Sequence, residues 1–350
     1  MNIRFFQYLI PSLLLMIAAP NAFAVEAPAR LLYKKGSHDD VLVISYKEGF
    51  VTYRLSKRAL NQVRVGPSKL SAVYFYEPKI FTEAMDLYRG RKYAEAKEKF
   101  AECETAYKPV DTAPDNYGTL AGFYKLECNR RMGDLDALSS ELEKFIKKGL
   151  TRETHLQQLE IYAFWEALRL KDWERLDLLA QAWVKRKVTG SQRAQIAYCH
   201  GLALEHIAKK DPSRMTDALN TYNQVITADF TTSHELVTNA FHHILGIYND
   251  YPGVALAIRT WETEDENRNS TGYQYLIEAN AMVKLYKQAG FERTRSLDSA
   301  YQKFFKYDAP DPDVEPKAAA EPKADEKPEA DEKPKAEEKP EAAKEAKVSE

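Results

Sequence analysis

Apolar and polar residues alternate with the two-residue period of a β-strand only near the start of the chain. Residues 41–46 are rich in β-branched side chains, and residues 50–54 and 70–75 have a similar character. Residues 30–33 are a candidate first strand. The pattern predicts a small β unit over residues 25–76, with three to five short strands. So small a unit is marginal as an independent core, so we expect it to dock on the segment that follows.

The pattern changes to a helical period over residues 77–307. In the clearest segment a first helix is followed by a turn with Gly90 and Tyr93, and a second helix places Ala96 and Phe100 one turn apart. This segment resembles the tetratricopeptide repeat, a pair of packed antiparallel helices. By its strand spacing, the preceding β unit resembles a small SH3-like barrel, and we expect it to cap the start of the helical region.

The helical pattern returns five more times, with less of the tetratricopeptide signature. The expected contact residues of the second helices lie 38 to 43 positions apart, namely Ala96, Leu138, Leu176, Ala218, Ala257 and Ala300. The standard tetratricopeptide unit has about 34 residues, so a related helical-hairpin solenoid stays open for the later units. Since one hairpin cannot cover its own apolar face, we predict a mainly α fold, a right-handed solenoid of about six stacked hairpins.

The two ends of the chain have different compositions. Arg4 and an apolar stretch precede Ala22-Phe23-Ala24, a pattern typical of a signal peptide (residues 1–24) that is cleaved after Ala24. We therefore expect a periplasmic or secreted protein, with an uncleaved anchor as the alternative. No later segment is apolar for long enough to cross a membrane. Residues 308–350 repeat Glu-Lys-Pro with alanine, which predicts a disordered tail that acts as a solubilising extension or as a tether.

Candidate chemistry is sparse along the chain. No nucleophile, phosphate-loop or metal motif appears, so we expect neither an enzyme nor a cofactor. His242 and His243 are adjacent, and adjacent helical residues point about 100° apart, so they do not share one metal-binding face. The residues Cys103, Cys128 and Cys199 are expected in the core, while a disulfide between Cys103 and Cys128 remains an alternative in an exported chain.

The tetratricopeptide resemblance implies that the first helix of each hairpin lines a groove for an extended peptide or a helix. The partner-binding candidates on that face are Phe81, Met85, Tyr88, Phe123, Arg130 and Trp165. The alternative is that these side chains pack in the core. No run of Lys or Arg indicates a nucleic-acid surface.

We therefore expect an exported, non-enzymatic scaffold or adaptor that binds a protein or peptide partner in envelope assembly or organisation. The alternative function is a cell-wall or polysaccharide-binding module that uses tyrosines of the β unit, namely Tyr46, Tyr53, Tyr74 and Tyr76.

Overall fold

The computed structural model describes residues 26–309, which form a small antiparallel sheet followed by helices. The mainly α fold with an N-terminal β unit is therefore confirmed. The predicted signal peptide (residues 1–24) lies outside the described residues, and so does nearly all of the predicted tail (residues 308–350). No helix of the described part combines the length and the apolar character that a membrane crossing needs.

Five strands form one sheet in the order β4-β3-β2-β1-β5. They are β1 (Ala27–Tyr33), β2 (His38–Lys47), β3 (Phe50–Arg54), β4 (Val63–Val65) and β5 (Leu70–Phe75). The four strands that the alternation predicted are present. The three residues of β4 are too few to show a period, so this strand was not predicted on its own.

The sheet shares a buried core with the first helices. Its apolar face includes Leu31 and Val43, and these belong to the same core as Phe81, Ala84 and Phe100 of the helical region. A sheet of this size buries too little apolar surface to be stable alone. The expected docking of the β unit on the first helices is therefore confirmed.

Eleven α-helices follow in the described residues, joined in pairs by short turns at the predicted places. They are α1 (Lys79–Arg89), α2 (Tyr93–Ala106), α3 (Tyr117–Met132), α4 (Leu135–Lys144), α5 (Glu153–Arg169), α6 (Trp173–Trp183), α7 (Gly190–Ala208), α8 (Met215–Ala228), α9 (His234–Asp250), α10 (Pro252–Arg259) and α11 (Thr271–Gln288). A 3-10 helix (Ser299–Lys306) follows α11 and takes the place of a twelfth helix. Most helix contacts join elements that are neighbours in the sequence.

Two of the turns show why the second helix of a pair begins where it does. Asp134 and Asp172 each accept a hydrogen bond at 3.1 Å from the backbone N–H three residues ahead, which caps α4 and α6. The residue before each aspartate has a left-handed backbone, with φ of 74° at Gly133 and 54° at Lys171. The same local chemistry therefore ends one helix and starts the next in both pairs.

Five of the six expected second-helix contact residues are buried, namely Ala96, Leu138, Leu176, Ala218 and Ala257. The sixth prediction is wrong, because Ala300 is exposed and Phe304 is buried in its place. The segment that contains them is a 3-10 helix with three residues per turn, so residues four apart do not share a face there. A second core runs from Leu126 in α3 to Phe304.

Candidate functional site

Most of the predicted groove residues are buried. Phe81, Phe123, Arg130 and Trp165 are at most 5% exposed, so their predicted exposure in a groove is wrong. Phe81 packs edge-on against Tyr117, with ring centroids 5.0 Å apart. Met85 and Tyr88 are half-buried.

Arg130 forms a buried ion pair with Glu127, which lies one helical turn earlier on α3. Its Nε and a terminal nitrogen donate to the two carboxylate oxygens of Glu127 at 3.0 and 2.8 Å, and the Tyr162 hydroxyl donates to the same carboxylate at 2.7 Å. Burial alone would raise the pKa of Glu127. The Arg130 charge and these hydrogen bonds outweigh burial and lower the pKa to about 2.

Polar side chains extend this pair toward α7. The Trp165 ring lies 5.6 Å from the Arg130 guanidinium, and its Nε1 donates to Gln195 Oε1 at 2.9 Å. Gln158 and Gln195 exchange two amide hydrogen bonds at 2.8 and 3.0 Å. We name this buried set the inner polar core, formed by Glu127, Arg130, Gln158, Tyr162, Trp165 and Gln195. It lies between α3, α5 and α7, and it engages the predicted groove residues Arg130 and Trp165 within the chain.

The neighbouring Arg131 connects three helices that are distant in sequence. Its Nε lies 2.8 Å from the Tyr88 hydroxyl of α1, and a terminal nitrogen donates to Glu235 of α9 at 2.7 Å. The same nitrogen also donates to the carbonyl oxygen of Thr232 at 3.1 Å. Tyr88, a predicted groove residue, is therefore occupied by contacts within the chain.

An open cavity of about 630 Å³ lies between α7, α9 and the segment that follows α11. We name it the C-terminal cleft. The residues that matter for its chemistry are Glu205, His242, His243, Gly246, Arg295 and Tyr301. Its apolar wall includes Met215 and Ile247.

One wall of the cleft carries a histidine–carboxylate pair. His243 Nδ1 lies 2.8 Å from Glu205 Oε2, which also accepts from the Tyr222 hydroxyl at 2.6 Å. The His243 ring stacks on the Tyr222 ring, with centroids 5.0 Å apart and planes 10° apart. Although burial opposes it, hydrogen bonding from His243 and Tyr222 holds the pKa of Glu205 below its ordinary value. The pair therefore fixes the orientation of the imidazole at the cleft.

His242 lines the cleft and carries a buried ring nitrogen, Nε2, without a hydrogen-bond partner among residues 26–309. Burial, and then the nearby charge of Arg295, lowers the pKa of His242 to about 4. Arg295 is held in place, because its side chain donates to Asn239 at 2.5 Å and its carbonyl accepts from Tyr286 at 2.6 Å.

The glycine in α9 leaves room in the cleft. A Cβ at Gly246 would meet a single atom within 4 Å, the Tyr301 hydroxyl at 3.3 Å. A Cβ at Gly201, in contrast, would lie 2.7 Å from the Tyr222 ring. Close packing therefore explains Gly201. Gly246 weakens its helix by about 1 kcal/mol relative to alanine without a comparable packing need, and what it provides is space.

The three cysteines lie in the core, as expected. Cys103, Cys128 and Cys199 are buried, and no two of these described residues are bonded, so the alternative of a Cys103–Cys128 disulfide is wrong. Burial raises the pKa of Cys103 and of Cys128 to about 12. Thiols in this state are poor nucleophiles.

The cleft combines apolar side chains with a few polar and charged ones. None of the described residues that line it is Ser, Thr or Cys, and no group of three His, Cys, Asp or Glu side chains in the described part is placed to hold a metal ion. No family model, curated protein or solved structure matches the chain.

Inspection of the sequence singled out the histidine pair but missed Glu205, Gly246 and Arg295. A usable signal was present, because Glu205 and His243 stand about one hairpin spacing apart on the first helices of successive pairs. The same holds for Gln158 and Gln195, which are separated by 37 residues. Polar residues at the hairpin period are therefore candidates for contact between neighbouring hairpins.

Proposed function

We propose that this chain is an exported, non-enzymatic scaffold that binds a protein or peptide partner, and that part of the partner enters the C-terminal cleft. The observation that carries the proposal is the contrast between the two candidate binding regions. Four of the six predicted groove residues are buried within the chain, whereas the cleft is open and about 630 Å³ in volume.

The size and lining of the cleft support binding of this kind. Ligand cavities in proteins typically measure about 300–1,000 Å³, with apolar walls and a few well-placed polar groups. Here Met215 and Ile247 supply apolar surface, while Arg295 and the half-buried His243 supply polar groups. The cleft is large enough for one or two side chains of a partner.

The succession of hairpins supports a scaffold. The paired helices, the recurrent capped turns and the buried second-helix residues agree with a tetratricopeptide-like solenoid, in which a series of similar units presents an extended surface. The Ala22-Phe23-Ala24 pattern supports the export part of the proposal.

The matched variants Gly246→Leu and Gly246→Ala test the cleft. Leucine fills part of the cavity, while alanine adds one methyl group and leaves the cavity open. A photo-reactive amino acid at the exposed cleft position Lys209 is expected to crosslink a partner in the native cell, in the wild type and in Gly246→Ala. We expect Gly246→Leu to abolish this crosslink.

Position Leu178, which is 66% exposed and outside the cleft, is the control site and should give no crosslink to the same partner. The helical circular dichroism of both glycine variants must match that of the wild type. An undiminished crosslink in folded Gly246→Leu would contradict the proposal.

A second candidate function, polysaccharide binding by the β unit, is favoured by two exposed tyrosines. Tyr74 and Tyr76 are 63% and 44% exposed, whereas Tyr53 is buried and Tyr46 is half-buried. Sedimentation with purified cell wall tests this function. Tyr74→Ala should reduce it, and a wild-type chain that stays in the supernatant would exclude it.

A further inference from the structure

Strand β5 forms one edge of the sheet, with β1 on its inner side. The Tyr76 N–H donates to the Pro28 carbonyl at 2.9 Å, just beyond the end of the strand. In an antiparallel pair, alternate residues direct their backbone groups toward the partner strand. Since Tyr74 is opposite Arg30 in the same register, Tyr74 also faces β1. The backbone groups of Val73 and Phe75 consequently point outward from the sheet.

The outer edge of β5 borders a slot of about 500 Å³. Five consecutive residues, 71–75, line one side of it, and the far wall comes from residues 114–120 and 149–155. Successive side chains of a strand point to opposite faces of the sheet, so a cavity on one face would be lined by every second residue. A cavity lined by five consecutive residues instead borders the backbone edge of the strand. In the described part of the chain, the backbone groups of Val73 and Phe75 make no hydrogen bond to the far wall.

Exposed aromatic side chains flank this edge. Tyr74 and Tyr76 are the two most exposed aromatic residues of the described part, at 63% and 44%. The Tyr76 hydroxyl donates to Asp40 at 2.6 Å, and its ring lies 6.0 Å from the Arg30 guanidinium, so Tyr76 is held in one orientation. A strand added next to β5 would cover part of Tyr74, since side chains on neighbouring strands lie about 5 Å apart.

We propose that this slot binds an extended segment of a partner protein, which adds to the sheet as a sixth strand beside β5. The occupant is defined by its main chain, because the edge offers N–H and C=O groups at the spacing of a β-strand. Alternate side chains of the segment lie beside Tyr74 and against the far wall, where Tyr117 and Leu120 give an apolar contact. A free edge of this kind is a template for strand pairing.

A peptide-display library of random 12-residue sequences, selected on the full mature chain, tests the proposal. Val73→Pro removes the outward N–H but leaves the ladder to β1 intact, and proline is tolerated at such an edge position. Val73→Ala is the matched control, because it shortens the side chain and keeps the N–H. Synthetic versions of the selected peptides should bind wild type and Val73→Ala similarly and Val73→Pro at least about tenfold more weakly.

A second measurement leaves the protein unchanged. N-methylation of the selected peptide at successive positions should weaken binding with a period of two residues, because every second N–H pairs with β5. Failure to select any peptide, equal affinity for Val73→Pro, or the absence of a two-residue period would each overturn the proposal. Binding to purified cell wall gives a further outcome that would overturn the proposal. If the wild type binds tightly, Tyr74→Ala does not bind and Val73→Pro binds as the wild type does, the ligand is a sugar.

Discussion

The inner polar core lies between α3, α5 and α7 and the C-terminal cleft lies between α7, α9 and the segment after α11; both carry charged and aromatic side chains, yet one is closed and the other is open. In the inner polar core, each charged or amide group meets a partner within the chain. Glu127, for example, accepts from Arg130 of its own helix and from Tyr162 of α5. In the cleft, Glu205 and His243 are paired in a similar way, but His242 Nε2 has no partner within residues 26–309.

Under the proposed function, a hairpin face binds a partner where its own packing leaves an open space. A large apolar residue at the Gly246 position would extend the closed packing into the cleft. Glycine leaves space there. Aromatic and charged residues on the first helices therefore do not mark the binding surface by themselves.

The largest expected loss of stability comes from removing one member of the inner polar core. Glu127→Ala leaves the Arg130 charge buried without a carboxylate, and the loss of one member of a buried pair typically costs about 3–5 kcal/mol. Urea unfolding followed by circular dichroism measures the loss. The control is Glu160→Ala, which removes a partly exposed ion pair with Arg186 and should cost under about 1 kcal/mol. Similar losses in the two variants would show that the buried pair has no special role.

An intermediate effect separates the two glycines. Gly201→Ala forces a methyl group against the Tyr222 ring and should destabilise the fold by about 1–3 kcal/mol. Gly246→Ala should leave stability within about 1 kcal/mol of the wild type, because the higher helix propensity of alanine offsets the close approach to Tyr301. Thermal unfolding of both variants gives the comparison. Equal destabilisation would mean that packing, and not space in the cleft, accounts for Gly246.

The smallest expected effect concerns the cysteines. Since none of the three is bonded to another and each is buried, reducing agent should not change the midpoint of thermal unfolding. A thiol-reactive reagent at neutral pH should label them in denaturant and hardly at all in the native chain, because burial raises the pKa of Cys103 and Cys128 to about 12. A lower midpoint in reducing agent would reveal a disulfide.

Local patterns predicted the elements well because the causes of those elements are local. Strand alternation located β2, β3 and β5, and turn residues such as Gly133 and Asp172 marked the breaks between helices. The exposure of Trp165 and Arg130 could not be predicted in this way. It depends on whether Gln195 and Glu127 are in position to pair with them, and that is a property of packing between hairpins.

The cleft could not be predicted from the sequence for the same reason. The histidine pair was noticed, but its partner Glu205 and the open space at Gly246 appear only when α7 and α9 are side by side. The edge of β5 likewise follows from the strand order, which the alternation pattern does not contain.

The link from Arg131 to Glu235 spans 104 residues and has a consequence for how the chain folds. Linear arrays that touch only their neighbours can unfold in parts from either end. A contact that closes so long a loop forms only after considerable loss of chain entropy, and it favours slow, cooperative folding. Helix α2 and the three hairpins from α3 to α8 lie between Tyr88 and Glu235. These contacts couple the first helices to α9, so that fraying of α9 also releases Arg131 and its hold on α1. Amide hydrogen exchange in α1 and α9 should accordingly rise together when either is destabilised.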